Sequence, residues 1–430
     1  MTAPDEEFVL LGMPDVHGSI RGKALRPAAF QSAVDNGTVM TDLWLGLDPV
    51  DEPIADYEHY GIRAGAPDLL IAPETETLRE LTWRPGWRIC LATPSWRDGS
   101  RCALASREVL RDSLDAMADL GYEVLAAFEY EVRLWDRDAE PLSSGLSYHL
   151  NEIGRFDALL SSLVPALEGL GVELEAVHTE AGPGLLELNI AARSGLRAAD
   201  DAAFVKFAVK DVAAALGLRA SFLAKTMPLE EGSSGHVHLS LWRDGTNAFA
   251  PAAPADDATP VAAAAIAGVL DHLSAASLLL NPTVNSYKRL VPGYFAPVNV
   301  SWGYENRSAS IRAIHSARPE LSRIECRRPG ADANPYLVLA VLVASACVGI
   351  HHESAPPPHW KATCLIGPIF SLSRTRWKAR STLSAPTRCF EPRSVKTSAS
   401  TMKSPGRGSC APGREPSATG SANATTESCR

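Results

Sequence analysis

Several things are missing from this chain, and each absence removes a class of function. The eight cysteines include no Cys-x-x-Cys pair, so neither a cysteine zinc site nor a disulfide framework is indicated. No apolar run approaches the roughly 20 residues that span a bilayer. The longest late run, Leu337 to Ile350, reads instead as a buried helix. Basic charge is not in excess: the net charge is −9, so no overall positive field would gather nucleic acid. The opening MTAPDEEF is acidic rather than basic-then-apolar, so the expected location is soluble and cytoplasmic, with no membrane partner. No GxxxxGK[ST] loop occurs, so any nucleotide must be held by other means.

Aspartate disappears altogether after residue 350. Residues 351–430 contain no Asp, a single Val (Val395) and four of the eight Cys, among many Ser, Thr, Pro and Arg. This segment carries 12 Lys+Arg against 4 Asp+Glu, a balance of +8, which leaves −17 on the remainder. Hydrophobic periodicity stops as well. A basic low-complexity tail, disordered and outside any fold, is one reading of residues 351–430. A shift of reading frame near codon 350 fits better, because an alternate frame of a GC-rich gene yields such text.

What is present is enough apolar sequence, 46%, for a large core in the first 350 residues. Residues 8–50 read as strand and turn pieces, with apolar strands at Phe8–Met13 and Ile20–Leu25, and Arg88–Ala92 reads as another strand. Ser106–Leu120 has helical spacing, with Ser106 as N-cap and Gly121 as stop. A strand is expected at Tyr122–Leu134, a helix at Asn151–Leu170, and strands at Val172–His178 and Gly184–Ala191. A helix at Asp200–Gly217, a strand at Val237–Trp242 and a helix at Val261–Leu280 follow. Irregular alternation of helices and antiparallel strands predicts an α+β fold. The expected domains are 1–105, 106–350 and the tail.

The densest chemistry lies in NPTVNSYKRLVPGYFAPVNVSWGYENRSASIR, residues 281–312. Lys288, Arg289, Arg307 and Arg312 sit among turn formers with Glu305 as the only acid, which suits loops holding guanidinium groups over an anion. Elsewhere Glu129 and Glu131 in FEYEV are two apart on a strand and so share a face. Glu180 and Glu187 flank a Gly-Pro-Gly turn in HTEAGPGLLELNI. His236 and His238 share a face in GSSGHVHLSLW, and Glu325 lies between arginines in RIECRRP. Singly, each pattern also suits an exposed strand edge or an ion-paired surface. Together, five glutamates and a histidine beside an arginine-rich loop suit Mg²⁺ or Mn²⁺ better than zinc. Divalent ions with arginines are the equipment of phosphoryl transfer.

In their order and spacing, FEYEV, EAGPGLLEL, GSSGHVHLSLW, NPTVNSYKRLVPG, NRSASIR and RIECR resemble the glutamine synthetase family over residues 8–350. The resemblance implies a small N-terminal β-grasp domain and a catalytic domain built on a curved antiparallel sheet. It also implies ring-shaped homo-oligomers with active sites shared between subunits. The implied substrates are ATP, glutamate and an amine or ammonia, joined through γ-glutamyl phosphate with two or three Mg²⁺ or Mn²⁺ ions. Carried over by motif position, Glu131, Glu180 and Glu187 would hold one metal, and Glu129, His236 and Glu325 a second. Arg289 would bind the glutamate α-carboxylate, with the backbone at Gly232 and Gly235 close to that substrate. His238 and Ser240 would lie beside the nucleotide, and Arg307, Arg312 and Arg327 would neutralise its phosphates and the transferring group.

Two departures from the pattern shape the expectation. Ammonia-using members have a glutamate in the loop after KRLVPGY, and here that position is Phe295. A phenylalanine cannot take a proton, but it can contact an alkylamine or a cation through its ring. The implied reaction is therefore a glutamate–amine ligation with an alkylamine or polyamine, ahead of ammonia or of a catalytically inactive family member. Asp42 and Asp48 lie near the place of an aspartate that serves ammonium, but without its surrounding motif. The second departure is the tail: family members continue past residue 350 with helices that complete the domain, so the apolar Leu337–Ile350 face is expected to be left bare.

Overall fold

The computed structural model describes residues 7–54, 57 and 60–361. Six strands form the first sheet: β1 (Phe8–Pro14), β2 (Ile20–Leu25), β3 (Thr38–Thr41), β4 (Asp68–Pro73), β5 (Arg79–Glu80) and β6 (Trp87–Ser95). Their order is β2-β1-β6-β4-β3, with β5 on β6. β1 and β2 make an antiparallel hairpin, and β1 runs parallel to β6. Helix α1 (Pro27–Asn36) packs across this sheet, in the expected β-grasp manner. It lies where only strand and turn pieces were expected. Its apolar signal is short, since just Phe30 and Ala33 are buried, while Pro27 fits the first helical turn.

The second sheet has ten strands in the order β14-β15-β16-β12-β7-β9-β8, with β10 and β11 on β7 and β13 on β12. They are β7 (Glu123–Trp135), β8 (Leu174–Thr179), β9 (Leu185–Ile190), β10 (Arg193–Ser194), β11 (Arg219–Ser221), β12 (Gly235–Arg243), β13 (Thr246–Asn247), β14 (Trp302–Tyr304), β15 (Ile311–Ile314) and β16 (Arg323–Cys326). Strand alternation divides its two faces. On β7 the even positions Val124, Ala126, Phe128, Tyr130, Val132 and Leu134 are core, as are Val237, Leu239 and Leu241 of β12. Odd positions of β7 and even positions of β12 therefore share the opposite face.

Helices α2 (Ser106–Asp119), α3 (Leu150–Ile153), α4 (Asp157–Gly169), α5 (Gly195–Ala215), α6 (Pro260–His272), α7 (Ser277–Leu280), α8 (Val284–Tyr287) and α9 (Pro335–His351) complete the described part. Ser106 is not the cap of α2: Ala105 holds that place, and the Ser106 hydroxyl donates to the carbonyl of Pro14. Gly121 does end α2, with φ +79°. The helices expected at 151–170 and 261–280 are each broken in two.

Helix α9 is not left bare. It packs against α2, α5 and α6, and Val338, Leu339, Leu342, Val343 and Ala346 are buried. At its crossing with α6 a Cβ on Gly268 would stand 2.1 Å from the Ser345 carbonyl, so only glycine allows this approach. The expected boundary at 350 falls inside α9, and packing continues beyond it. Trp302 Nε1 donates to the Pro357 carbonyl at 2.7 Å, and the Trp360 amide donates to the Trp302 carbonyl at 2.9 Å. The remainder of the expected tail lies outside the described residues.

Candidate active site

Register places the charged side chains in rows across the second sheet. Glu187 stands opposite Glu131 on one side and His178 on the other. Glu129 is flanked by Asn189 and His236. Glu325 lies between His238 and Arg312. Directly opposed residues have Cβ atoms about 5 Å apart, so each row is one contact wide. The rows form the floor of a cleft of about 430 Å³. Loops supply its rim: Glu180, Gly232, Arg289, Phe295 and Arg307, with Arg312 and Arg327 beside the floor.

Three of the expected residues stand apart from this cleft. His238 and Ser240 line an adjoining cleft of about 310 Å³, and Glu129 and Asn189 border both. Gly235 borders neither: a Cβ there would meet the Gly330 carbonyl at 2.9 Å, so its missing side chain serves strand packing. Gly232 does line the main cleft, where a Cβ would crowd Arg289 Cγ at 2.7 Å. Asp42 and Asp48 are absent from it. Asp42 Oδ2 accepts from the Gly61 amide at 2.9 Å, and Asp48 caps its own turn.

Sequence reasoning missed other lining residues. His178 Nε2 sits 3.4 Å from Glu187 Oε1 and 3.7 Å from Glu180 Oε1. Asn189 Nδ2 donates to Glu187 Oε1 at 2.9 Å. Both were detectable, as strand neighbours two positions from Glu180 and Glu187. Tyr148 packs edge-on against His178 from a loop position with φ +56°, which no local pattern announces.

The carboxylates crowd one another. Burial pushes Glu187 up to about 9, with Glu131 and Glu129 adding repulsion. Burial also raises Glu131, although the Ser234 amide donates to its Oε2 at 2.7 Å. Burial opposes charge on Glu129, but His238 and His236 outweigh it and hold that carboxyl well below its usual range. The same opposition is overcome at Glu325, which Arg327, His238 and His236 hold down to about 2. His236 is buried and pulled down to about 4, first by burial and then by Arg327, so its ring is neutral.

A cation fits two places. His236 Nδ1 is buried without a hydrogen bond and lies 3.6 Å from Glu129 Oε2 and 3.5 Å from Glu325 Oε1. Ligands around an octahedral ion at about 2.1 Å stand roughly 3 Å apart, so modest closure would put these three atoms on one ion. His238 Nε2, 2.9 Å from Glu129 Oε1, borders the same group, and Glu129, His238 and Glu325 offer atoms within 4.8 Å of one another. The second place lies among His178, Glu180 and Glu187, with Glu131 opposite Glu187.

The arginines face this acid-rich floor. Arg289 is buried, and its described hydrogen bonds go to the carbonyls of Arg327 and Arg328 at 3.4 and 3.2 Å and to His236 Nε2 at 3.5 Å, with no carboxylate among them. Burial pulls it down to about 10. Arg312 Nη1 donates to Glu325 Oε2 at 3.1 Å, Arg327 Nη1 donates to Glu325 Oε1, and Arg307 is exposed at the rim.

Residues 103–365 match the catalytic domain of glutamine synthetase. Over 364 residues the chain is 34% identical to a glutamate–isopropylamine ligase of a Pseudomonas species, covering 81% of this chain and 79% of the other. It is 33% identical to a gamma-glutamylethanolamide synthetase of Streptomyces coelicolor, covering 83% and 79%. Glutamine synthetase of Thermus thermophilus is 34% identical, with coverage of 82% and 79%. Among solved structures, a GmaS/ADP complex superposes with a TM-score of 0.73 at 28% identity, over 85% of this chain and 83% of that one.

Proposed function

The chain belongs to the glutamine synthetase family and is a ligase of that type, and on that premise we propose that it joins the γ-carboxyl group of glutamate to an alkylamine or polyamine, driven by ATP. The carrying observation is Phe295. It stands at the rim of the cleft, 56% exposed, with Tyr294 and Tyr148 also in the lining. An aromatic wall attracts an alkylammonium ion and its carbon chain, and it supplies no proton acceptor for ammonium. The relatives that make amides from isopropylamine and ethanolamine support the same direction.

Each residue has a task in this reading. Arg289, buried and without a carboxylate partner, receives the glutamate α-carboxylate beside Gly232. His238 and Ser240 border the adjoining cleft, which takes the nucleotide. Arg307, Arg312 and Arg327 line the main cleft, and in this reading they offset charge on the transferring phosphoryl group. Glu131, Glu180 and Glu187, with His178 close by, and Glu129, His236 and Glu325 would hold Mg²⁺ or Mn²⁺ ions, which would supply positive charge to neutralise phosphate. Asp42 and Asp48 do not reach the cleft of their own chain, which fits completion of the cleft by a neighbouring subunit in a ring; native mass measurement tests that assembly.

Phosphate release from the purified chain with ATP, glutamate, Mg²⁺ or Mn²⁺ and a panel of amines tests the reaction. Turnover faster with an alkylamine than with ammonia is expected. Phe295→Glu should raise ammonia use and lower alkylamine use. Faster turnover with ammonia in the unaltered chain would make it a glutamine synthetase. ATP binding without phosphate release for any acceptor would leave an inactive family member.

A further inference from the structure

A third cleft, of about 620 Å³, opens on the core side of the sheet, between the β1–β2 turn and helix α5. Ala203, Lys206, Phe207, Lys210 and Asp211 line it, a spacing that puts them on one helical face. Phe222 and Pro282 add apolar walls. Lys206 is buried at 6% exposure, donates among the described residues to the Ala333 carbonyl alone, at 3.0 Å, and lies 5.3 and 5.8 Å from the ring centres of Tyr130 and Phe222. Lys210 is exposed at the mouth, with its ammonium 5.9 Å from the same Phe222 ring.

Neither lysine has an ion pair among the described contacts, although three carboxylates are near. Asp15 is taken by Arg21 at 2.6 Å, and Asp211 by Arg84 and by Trp83 Nε1 at 2.6 Å. Asp332 Oδ2 accepts from Ser286 and Thr283 at 2.7 and 3.3 Å, and its Oδ1 is buried without a hydrogen bond, so its charge offsets only part of the cost of burying Lys206. A buried lysine is ordinarily matched by an acid. Here burial pulls Lys206 down to about 7, and Lys210 adds repulsion. Two like charges four residues apart on one helix face repel, and an anion between them relieves both.

We propose that this cleft is an effector site for a small oxyanion with an aromatic or other apolar body, held by Lys206 and Lys210 over Phe222. The site touches two parts of the active-site cleft from behind. Phe222 meets Tyr130 edge-on at 5.9 Å, and Tyr130 separates Glu129 from Glu131 on β7. Asp332, Thr283 and Ser286 fasten the start of α8, and α8 ends two residues before Arg289. An anion at the lysines would bias the position of both.

Isothermal titration with benzoate and with phenyl phosphate, against neutral benzyl alcohol, tests binding and separates carboxylate from phosphate. Arg289→Met silences the anion contact of the active-site cleft. Saturable binding of either anion that survives Arg289→Met and falls about tenfold or more in Lys210→Met and in Lys206→Met is expected. Lys210 is exposed, so its variant should fold even where Lys206→Met does not. Binding lost in Arg289→Met and kept in Lys210→Met, or no saturable binding, overturns the site. The effector role rests on the ligase reading and predicts a shift of the glutamate KM by the bound probe that Lys210→Met abolishes. Binding with no such shift overturns that role, whereas absence of turnover without any probe counts against the ligase reading and leaves the binding result standing.

Discussion

Buried charge is handled in opposite ways in two regions of this molecule. Where α2, α5, α9 and the loop after β4 meet, Arg107 grips Asp200 with two hydrogen bonds of 2.9 Å, and Tyr336 adds a third at 2.8 Å. Arg107 Nη1 also stands 2.9 Å from Glu74 Oε1, an ion pair without hydrogen-bond geometry, and Arg111 holds Glu74 at 2.7 and 2.8 Å. Burial opposes charge on Glu74, but Thr93, Glu76 and Arg107 outweigh it and hold Glu74 down to about 2. In one part of the active-site cleft the same residue types are set against one another: Glu131 and Glu187 are pushed up and Arg289 is pulled down, although Glu325 beside them keeps Arg312 and Arg327. A matched network fixes geometry. An unmatched one leaves charge to be matched by ligands, and a folded chain tolerates that cost where it serves binding.

The comparison breaks most sharply at Arg107. Arg107→Met strands Asp200 and Glu74 and should cost about 3–5 kcal/mol of stability. Denaturant melting measures this, and a loss under about 1 kcal/mol would mean that the network is ornamental. Arg289→Met should behave in the reverse way. Its glutamate kcat/KM should fall by about 10²- to 10³-fold, comparable to losing a preorganised anion donor, while the melting temperature holds or rises.

Glu187→Gln sharpens the same contrast at smaller scale. Removing one of several crowded carboxylates should stabilise the metal-free chain by about 1 kcal/mol while abolishing turnover. In the unaltered chain, Mg²⁺ or Mn²⁺ should raise the melting temperature and a chelator should reverse it, and Glu187→Gln should shrink that increment. Lys206 adds a pH signature. Its value in the folded chain is lowered, so the folded chain holds fewer protons than the unfolded one between about 7 and the ordinary lysine range. Stability therefore rises with pH across that window, and the cost of burying the ammonium is complete below it. Lys206→Met should stabilise by about 1–2 kcal/mol at pH 6 and by less at pH 9; equal gains at both would place the ammonium in water.

The cleft was legible from sequence to the extent that it is built on strand alternation. Glu129, Glu131, His236 and Glu325 are period-2 positions, and the register brings them together. His178 and Asn189 continue that alternation from Glu180 and Glu187, but alternation does not say which neighbours meet across strands, and both went unread. The matched network was invisible for a related reason. Arg107 and Asp200 are 93 residues apart and sit in ordinary amphipathic helices, where an acid or an arginine looks like solvent-facing charge. Helix α1 was missed because two buried residues do not make a period. The cover over α9 was misjudged because the apolar strip on α9 says nothing about which helices reach it.

The smallest expected effect concerns how the rim arginine is held. Residues 354–361 lie along β14: His359 packs on Trp302 and Tyr304 at 5.5 and 4.9 Å, and Asn306 Nδ2 donates to the Trp360 carbonyl at 3.3 Å. Asn306 is the neighbour of Arg307, so this strap fastens the loop that carries an exposed guanidinium over the cleft. A Cβ on Gly303 would stand 2.7 Å from the Trp360 carbonyl, which shows how tightly it lies. Trp302→Phe keeps the ring and removes the donor to Pro357, a loss of about 1 kcal/mol. Turnover should fall a few-fold through a raised KM for ATP, with the glutamate KM unchanged, because Arg289 is fastened elsewhere. Gly303→Ala should have the same signature at greater depth, since it displaces the strap itself. If both variants instead raised the two KM values together, the strap would support the sheet as a whole, and the matched part of the molecule would extend to the edge of the unmatched one.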